Sequence, residues 1–360
     1  MKAAVGTEKS AKAVATHDAD GLSTPDLLRA YRTMVLSRKL DDKELQLKNQ
    51  SLIFFQISGA GHEAVLTAAG MLMKPGYDWF YPYYRDRALC LALGMTPYEM
   101  LLSAVGGKDD PNSGGRQMPS HWGHRTLNIV SQSSPTGTQC LQSIGCAEAG
   151  RFYETLKDIT GRESRFHADE VTYVSLGDGT TSEGEWHESM NFAAVHKLPL
   201  VMLVENNQWA ISTPLHHQMG QPDIYKRAEG YGMPGEQFDG FDPIATYDVV
   251  HRAMERARTG GGPSIVEGVC YRFLAHSTDD NDMTYRTKDE VVEHRKDDPV
   301  PRFERVLLDA GVMAADEMEA MRKDVLRETN EATDKAEAMP YPEPSDLYKH
   351  VYEGAWEPWQ

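Results

Sequence analysis

Two continuous apolar runs, separated by an amphipathic stripe, mark the middle of this chain and predict its architecture. Residues 171–176 are largely β-branched and apolar and stop at Gly177-Asp178-Gly179, as a short buried strand does. Ser182 with Glu185 is a capping-box pattern, so a helix is expected from there to about Lys197. Trp186, Met190, Ala193 and Ala194 recur at helical spacing and form its buried face. Pro199 breaks the chain, and residues 200–204 are the second apolar run. A strand–turn–helix–strand unit of this kind places its strands parallel.

The flanks read as helices. Thr24-Pro25 supplies an N-cap and first-turn proline to the stripe Leu27, Leu28, Tyr31, Met34, Val35. Residues 61–74 repeat the pattern with Val65, Ala68, Ala69, Leu72 and Met73 and end at Pro75-Gly76. Thr96-Pro97-Tyr98-Glu99 is another capping box, opening a helix to about Val105. The small residues Ser143, Gly145, Cys146, Ala147, Ala149 and Gly150 predict a helix packed closely against the sheet or another subunit. Residues 157–170 are charged and read as a surface connection; 243–258 read as a helix, 264–270 as a buried strand, and the rest to about Ala338 as polar helices. The fold class is α/β, a mostly parallel sheet flanked by helices, with a helical C-terminal region. Residues 1–22 are expected to be a mobile tail, 23–300 the α/β domain, and 301–360 the helical region with a Pro-rich tail. Trp356 and Trp359 in that tail suit docking on a partner or wrapping on the same subunit.

Composition narrows the classes of partner. The 360 residues are 40% apolar and 25% charged, ordinary globular values, and can bury a large core. A net charge of −17 argues against nucleic acid or an anionic membrane surface as the main partner. The four cysteines show no metal-ligand spacing and read as reduced thiols. No apolar run approaches membrane-spanning length, and the N-terminus carries no secretory apolar core. A cytoplasmic location is expected.

The candidate chemistry lies at the strand ends. Asp178 and Asn207 each follow the carboxyl end of a strand, the edge where open α/β sheets bind ligands. Parallel neighbours lie about 5 Å apart, so both side-chain oxygens reach one ion. A carboxylate and a carboxamide suit Mg²⁺ or Ca²⁺, and Mg²⁺ usually takes phosphate oxygens as well. Gly179 is expected to let a ligand approach the backbone, with the N–H groups of Gly179 and Thr180 opening toward a helix N-terminus. The site asks for a metal-bridged diphosphate. Two polar loops, 106–124 and 271–288, are long enough to be functional. The aromatic cluster of residues 79–84 reads as core, with Arg85 and Arg87 at its end within reach of an anion. His187-Glu188 lacks the second histidine of a zinc-protease motif, since Asn191 stands there. Asp279-Asp280-Asn281-Asp282 lacks the glycine and spacing of a calcium loop and reads as a solvated acidic stretch.

Gly177-Asp178-Gly179 followed by Asn206-Asn207, with the strand and helix between them, resembles the thiamine-diphosphate motif. Gly115-Arg116-Gln117-Met118-Pro119-Ser120-His121, then Ser133-Ser134-Pro135 with Thr138-Gln139, and Tyr271-Arg272 through His276-Ser277-Thr278 and Asp280 surround it in order. Together they resemble the alpha subunits of the thiamine-dependent component of 2-oxo acid dehydrogenase complexes, most closely the branched-chain type. The resemblance covers roughly residues 25 to 335. It implies the thiamine-diphosphate-binding fold, Mg²⁺ held by Asp178, Asn207 and the Trp209 carbonyl, and diphosphate contacts from Tyr84, Arg85, Gly179 and Thr180. It also places Ser134 and Thr136 along the aminopyrimidine, Arg272 at the start of a loop presenting His276, and His121 as a second histidine at the reacting carbon. The implied reaction decarboxylates a 2-oxo acid and passes the acyl group to the lipoyl arm of a dihydrolipoyl acyltransferase. Thr136 replaces the family's usual bulky apolar residue beside Gly137, and Glu205 stands where the branched-chain pattern often has arginine. Both leave pyruvate and acetoin open as substrates, and a non-catalytic cofactor-binding paralogue is the reading from another class. The glutamate that activates the aminopyrimidine comes from a beta subunit in this family, which implies an α₂β₂ assembly; Glu63 is the in-chain candidate.

Overall fold

The computed structural model describes residues 21–160 and 166–349. The expected N-terminal tail, apart from its last two residues, and both tryptophans of the C-terminal tail lie outside them. Ser23 caps helix α1 (Thr24–Asn49), its hydroxyl accepting from the Asp26 N–H, and Pro25 sits in the first turn. Helix α2 (Glu63–Met71) is shorter than expected, because the chain before it must turn at Gly61 (φ +99°), where a Cβ would lie 2.0 Å from the Tyr271 carbonyl. Strand β1 (Trp79–Tyr81) takes up the start of the aromatic cluster read as core. Helices α3 (Arg87–Ala92) and α4 (Pro97–Val105) follow, and the Thr96–Glu99 capping box is formed in both directions. Helix α5 (Thr138–Thr160) carries the small residues and extends into the stretch expected to be a surface connection.

Strand β2 (Thr172–Gly177), helix α6 (Gly184–His196) and strand β3 (Leu200–Asn206) form the expected crossover, with both strands buried throughout. The capping box at Ser182 is not formed. Residues Asp178–Ser182 instead tighten into a 3₁₀ turn, held by the Thr181 hydroxyl donating to the Asp178 carbonyl (2.7 Å) and by Glu183 N–H to Thr180 (3.0 Å). Helix α6 therefore starts two residues later, with Glu183 at its N-cap making no side-chain cap.

A hairpin of β4 (Trp209–Ala210) and β5 (Thr213–Pro214) leads to short helices α7 (Leu215–Gln218) and α8 (Arg227–Tyr231), strand β6 (Gly235–Asp239), helix α9 (Pro243–Arg258) and strand β7 (Ser264–Val269). Asp242 caps α9 through the Ile244 and Ala245 N–H groups. The C-terminal region holds α10 (Lys288–His294), α11 (Pro299–Asp309) and α12 (Ala315–Glu337); α12 packs against α1 and α4.

The main sheet has the order β1-β2-β3-β7-β6, and every pairing is parallel. Successive side chains of a strand face opposite sides. Tyr173, Val201 and Leu203 accordingly pack with residues of α1, α2 and α9, while Val174, Leu176, Met202 and Val204 pack with Cys140 and Ile144 of α5 and Trp186 and Met190 of α6. Pairing of Gly177 with Glu205, and of Asn206 with Val269, aligns the carboxyl ends of the three central strands. Among the described residues no helix is long and apolar enough to cross a membrane.

Candidate active site

The aligned carboxyl ends of β2 and β3 open into a cavity of about 440 Å³. Its wall brings together nine residues singled out from sequence: Tyr84, His121, Ser134, Thr136, Asp178, Gly179, Thr180, Trp209 and His276. Arg85, Asn207 and Arg272 do not line it but are buried. Phe55, Ile57, Met118 and Glu183 also line it, and the sequence reading missed them as site residues. The first two come from a loop without periodicity, and Met118 lies inside a motif quoted above without a role of its own.

Asp178 opens the 3₁₀ turn after β2 and accepts a hydrogen bond from Gln218 Nε2 (2.6 Å). Burial pushes its carboxyl up to about 6, against the Gln218 hydrogen bond and the pull of Arg272 and Arg85. Asn207 follows β3, where Gln208 (φ +72°) and Ile211 (φ +52°) bend the backbone through the left-handed region around the β4 strand. Its Oδ1 accepts from the Trp209 N–H (3.3 Å), and its Nδ2 meets His62 Nε2 at 3.2 Å. The Trp209 indole donates to Glu290 (3.0 Å), which fixes the ring. Gly179 also meets a packing demand: a Cβ there would lie 2.6 Å from Ala210 Cβ. The N–H groups of Gly179 and Thr180 belong to the 3₁₀ turn, not to a helix N-terminus.

Behind this edge sit two buried guanidinium groups. Arg85 donates through Nη1 to the Ser58 carbonyl (2.7 Å) and through Nη2 to the His276 carbonyl (3.0 Å). Arg272 donates through Nη2 to the Ile211 carbonyl and the Tyr285 hydroxyl, both at 2.9 Å. Arg85 Nε and Arg272 Nε and Nη1 are buried without a partner. Both cations pull on the Asp178 carboxyl, so the field behind this edge favours an anion. Burial and these two cations push the His276 imidazole down to about 3, so it is neutral. Tyr84 stands edge-on to His276 and carries the Arg85 guanidinium over its ring.

His121 is buried, and its Nδ1 faces the Pro119 carbonyl (3.1 Å), which can only accept. Nδ1 therefore carries a proton, and Nε2 is hydrogen-bonded to the Ser134 hydroxyl (2.7 Å) at the cavity wall. In the stretch 279–282, expected to be solvated, Asp279 and Asn281 are exposed but Asp280 and Asp282 are engaged. Asp280 accepts from the His276 N–H (2.8 Å) and from the Tyr285 hydroxyl, and Asp282 from the buried Arg286. Arg286 also donates to the Arg272 and Leu274 carbonyls, and Gln56 and Thr278 exchange two hydrogen bonds that tie the loop to the cavity rim. Glu63 is held by Arg38 and the Gly61 N–H (2.8 Å) and does not line the cavity. Glu205 is fully buried against Asp86 and does not line it either.

The donor set fits a hard cation bridging phosphates: one carboxylate, one amide oxygen and two cations with free N–H groups. Among the described residues no three of His, Cys, Asp and Glu converge, so the set is not that of a zinc or copper centre. Fold and site together define an α/β protein whose cavity, at the carboxyl edge of a parallel sheet, suits an anionic ligand.

Comparison makes the class specific: residues 31–345 match the dehydrogenase E1 component family, and the chain belongs to it. It is 40% identical to the 2-oxoisovalerate dehydrogenase subunit alpha of Bacillus subtilis, over 93% of this chain and 98% of that one. It is 37% identical to the 3-methyl-2-oxobutanoate dehydrogenase subunit alpha of Mycobacterium tuberculosis, over 78% of this chain and 70% of that one. Identity to the pyruvate dehydrogenase E1 component subunit alpha of Acholeplasma laidlawii is 33%, over 91% and 88%.

Proposed function

We propose that the chain is the alpha subunit of a 2-oxo acid dehydrogenase that uses thiamine diphosphate and Mg²⁺, acts on a branched-chain 2-oxo acid, and passes the acyl group to a lipoyl-bearing acyltransferase. The observation that carries the reading is the gathering of nine motif residues on one cavity, with the charges of buried Arg85 and Arg272 acting on Asp178 at its wall. Bound there, thiamine diphosphate would supply the carbanion chemistry that no side chain offers. Arg85 and Arg272 would supply the positive field for the diphosphate, and Asp178, Asn207 Oδ1 and the Trp209 carbonyl would hold the Mg²⁺. Ser134 and Thr136, exposed at the wall, would flank the aminopyrimidine. His121, hydrogen-bonded to Ser134 through Nε2, would move a proton at the cavity wall, and neutral His276 would donate or accept one beside it.

Phe55, Ile57 and Met118 give the wall beside His121 an apolar stretch that suits a branched aliphatic side chain. Asp178 and Glu183 are the carboxyl groups of the wall among the described residues; the family relationship, not their geometry, supports assigning the activating glutamate to a beta subunit in an α₂β₂ assembly. Four unpaired thiols, three of them buried, accord with a cytoplasmic location. The test is kcat/KM of the assembled pair for 3-methyl-2-oxobutanoate against pyruvate. The apolar wall predicts a preference of about 10–200-fold for the branched acid. Equal values, or a preference for pyruvate, would refute the substrate assignment.

A further inference from the structure

We infer that His62 is a positioning residue for the cation, which together with the Trp209 N–H holds the Asn207 amide with its oxygen free for the metal site. The inference rests on the Mg²⁺ site proposed above. An amide has an oxygen end that can ligate a cation and an –NH₂ end that cannot, and the two ends are nearly the same size. Two neighbours settle the choice here. The Trp209 backbone N–H, 3.3 Å away, can only donate, so the atom it faces is Oδ1. The other end then presents Nδ2 to His62 Nε2 at 3.2 Å, and this nitrogen must be an acceptor. A second lone pair of Oδ1 remains for a cation after the Trp209 contact.

His62 is built for that task. It stands at the N-cap of α2, fully buried, directly after the Gly61 turn that presses against the Tyr271 carbonyl. Its backbone N–H is tied to the Gly59 carbonyl (2.9 Å), so the ring is delivered from a fixed turn. Glu205 Oε2 lies 4.0 Å from Nε2, outside hydrogen-bonding range, and leaves Asn207 as the partner of that nitrogen. Nothing in the catalytic reading uses this histidine; it does not line the cavity. With His62 replaced by a side chain lacking an acceptor, the amide loses the contact that favours its ligating orientation.

The experiment is calorimetric titration of Mg²⁺ into the assembled complex with thiamine diphosphate present, which reads binding and not turnover. His62→Leu should weaken Mg²⁺ about 10–100-fold, while His62→Gln, whose Oε1 can accept from Asn207 Nδ2, should stay within about threefold of wild type. In an Asn207→Asp background both ends of the side chain are oxygen, orientation no longer matters, and His62→Leu should add no further loss. Should His62→Leu fail to assemble, His62→Phe keeps a ring and removes the acceptor. Equal affinity of His62→Leu and wild type overturns the inference, as does equal weakening by His62→Leu and His62→Gln. Full persistence of the loss in the Asn207→Asp background also overturns it, because a merely structural role would act in both. Absence of Mg²⁺-dependent binding in the wild-type complex would instead remove the metal site itself, and the role of His62 with it.

Discussion

Gly179→Ala tests how the cavity floor is built. An alanine Cβ at this position would sit 2.6 Å from Ala210 Cβ, while ordinary carbon contacts lie near 3.5–4.0 Å. The turn and the hairpin must therefore part by about 1 Å. The turn carries Asp178 and the hairpin carries Trp209, so the strain falls between two of the residues assigned to the metal. Overpacking of this kind costs about 1–3 kcal/mol, or about 5–150-fold if it is expressed in binding. The single variant should lose thiamine-diphosphate affinity in that range, read by calorimetry on the assembled complex with Mg²⁺. Ala210→Gly removes the obstructing Cβ; the nearest atom is then Ala210 Cα at 3.5 Å, an ordinary contact. The double variant Gly179→Ala/Ala210→Gly should thus recover most of the affinity, less the roughly 0.5–1 kcal/mol that a glycine costs in a strand. A double variant no better than Gly179→Ala alone would refute this account and return the glycine to ligand approach.

Four further outcomes are expected. Asp178→Ala should abolish Mg²⁺-dependent thiamine-diphosphate binding in the same titration, and unchanged affinity would sink the metal assignment. Burial holds the Asp178 carboxyl up at about 6. A cation must therefore displace a proton below that pH, and Mg²⁺ affinity should fall about tenfold per unit as pH drops below 6; a flat profile would contradict it. The rigorously purified chain alone should decarboxylate no 2-oxo acid; turnover by it would point to Glu183, the other carboxyl of the wall, as the group to replace. Residues 271–288 should gain hydrogen-exchange protection in the assembled complex when thiamine diphosphate and Mg²⁺ bind, because Arg272 and His276 then acquire an anionic partner; equal protection with and without cofactor would rule out gating.

The sheet and its crossover were legible because β2 and β3 are buried on both faces and so read as unbroken apolar runs. Local caps were legible where a side chain had no competitor, as at Thr96. Ser182 failed because the preceding turn is closed by Thr181 and Thr180 before the serine can cap anything. β6 escaped notice since, at the sheet edge, Phe238 alone of its residues is buried. At the site, polar residues in recognisable order were found from the motifs, and the structure gathers nine of them on one cavity. Phe55, Ile57 and His62 escaped because their places depend on long-range packing of a loop and a turn. The state of the two arginines was equally hidden: a sequence shows that a guanidinium exists, but not that its donors are unmet.

Those unmet donors also bear on how long the polypeptide survives. Without its anion the chain keeps like charges of Arg85 and Arg272 buried near one another, each lowering the proton affinity of His276 between them. A ligand that binds the folded chain alone adds stability with its concentration, about 2.7 kcal/mol at a hundredfold excess over Kd. A cell short of vitamin would then lose more than turnover, since unloaded copies open more often and proteases remove them. Vitamin supply would in this way set the amount of the protein as well as its activity.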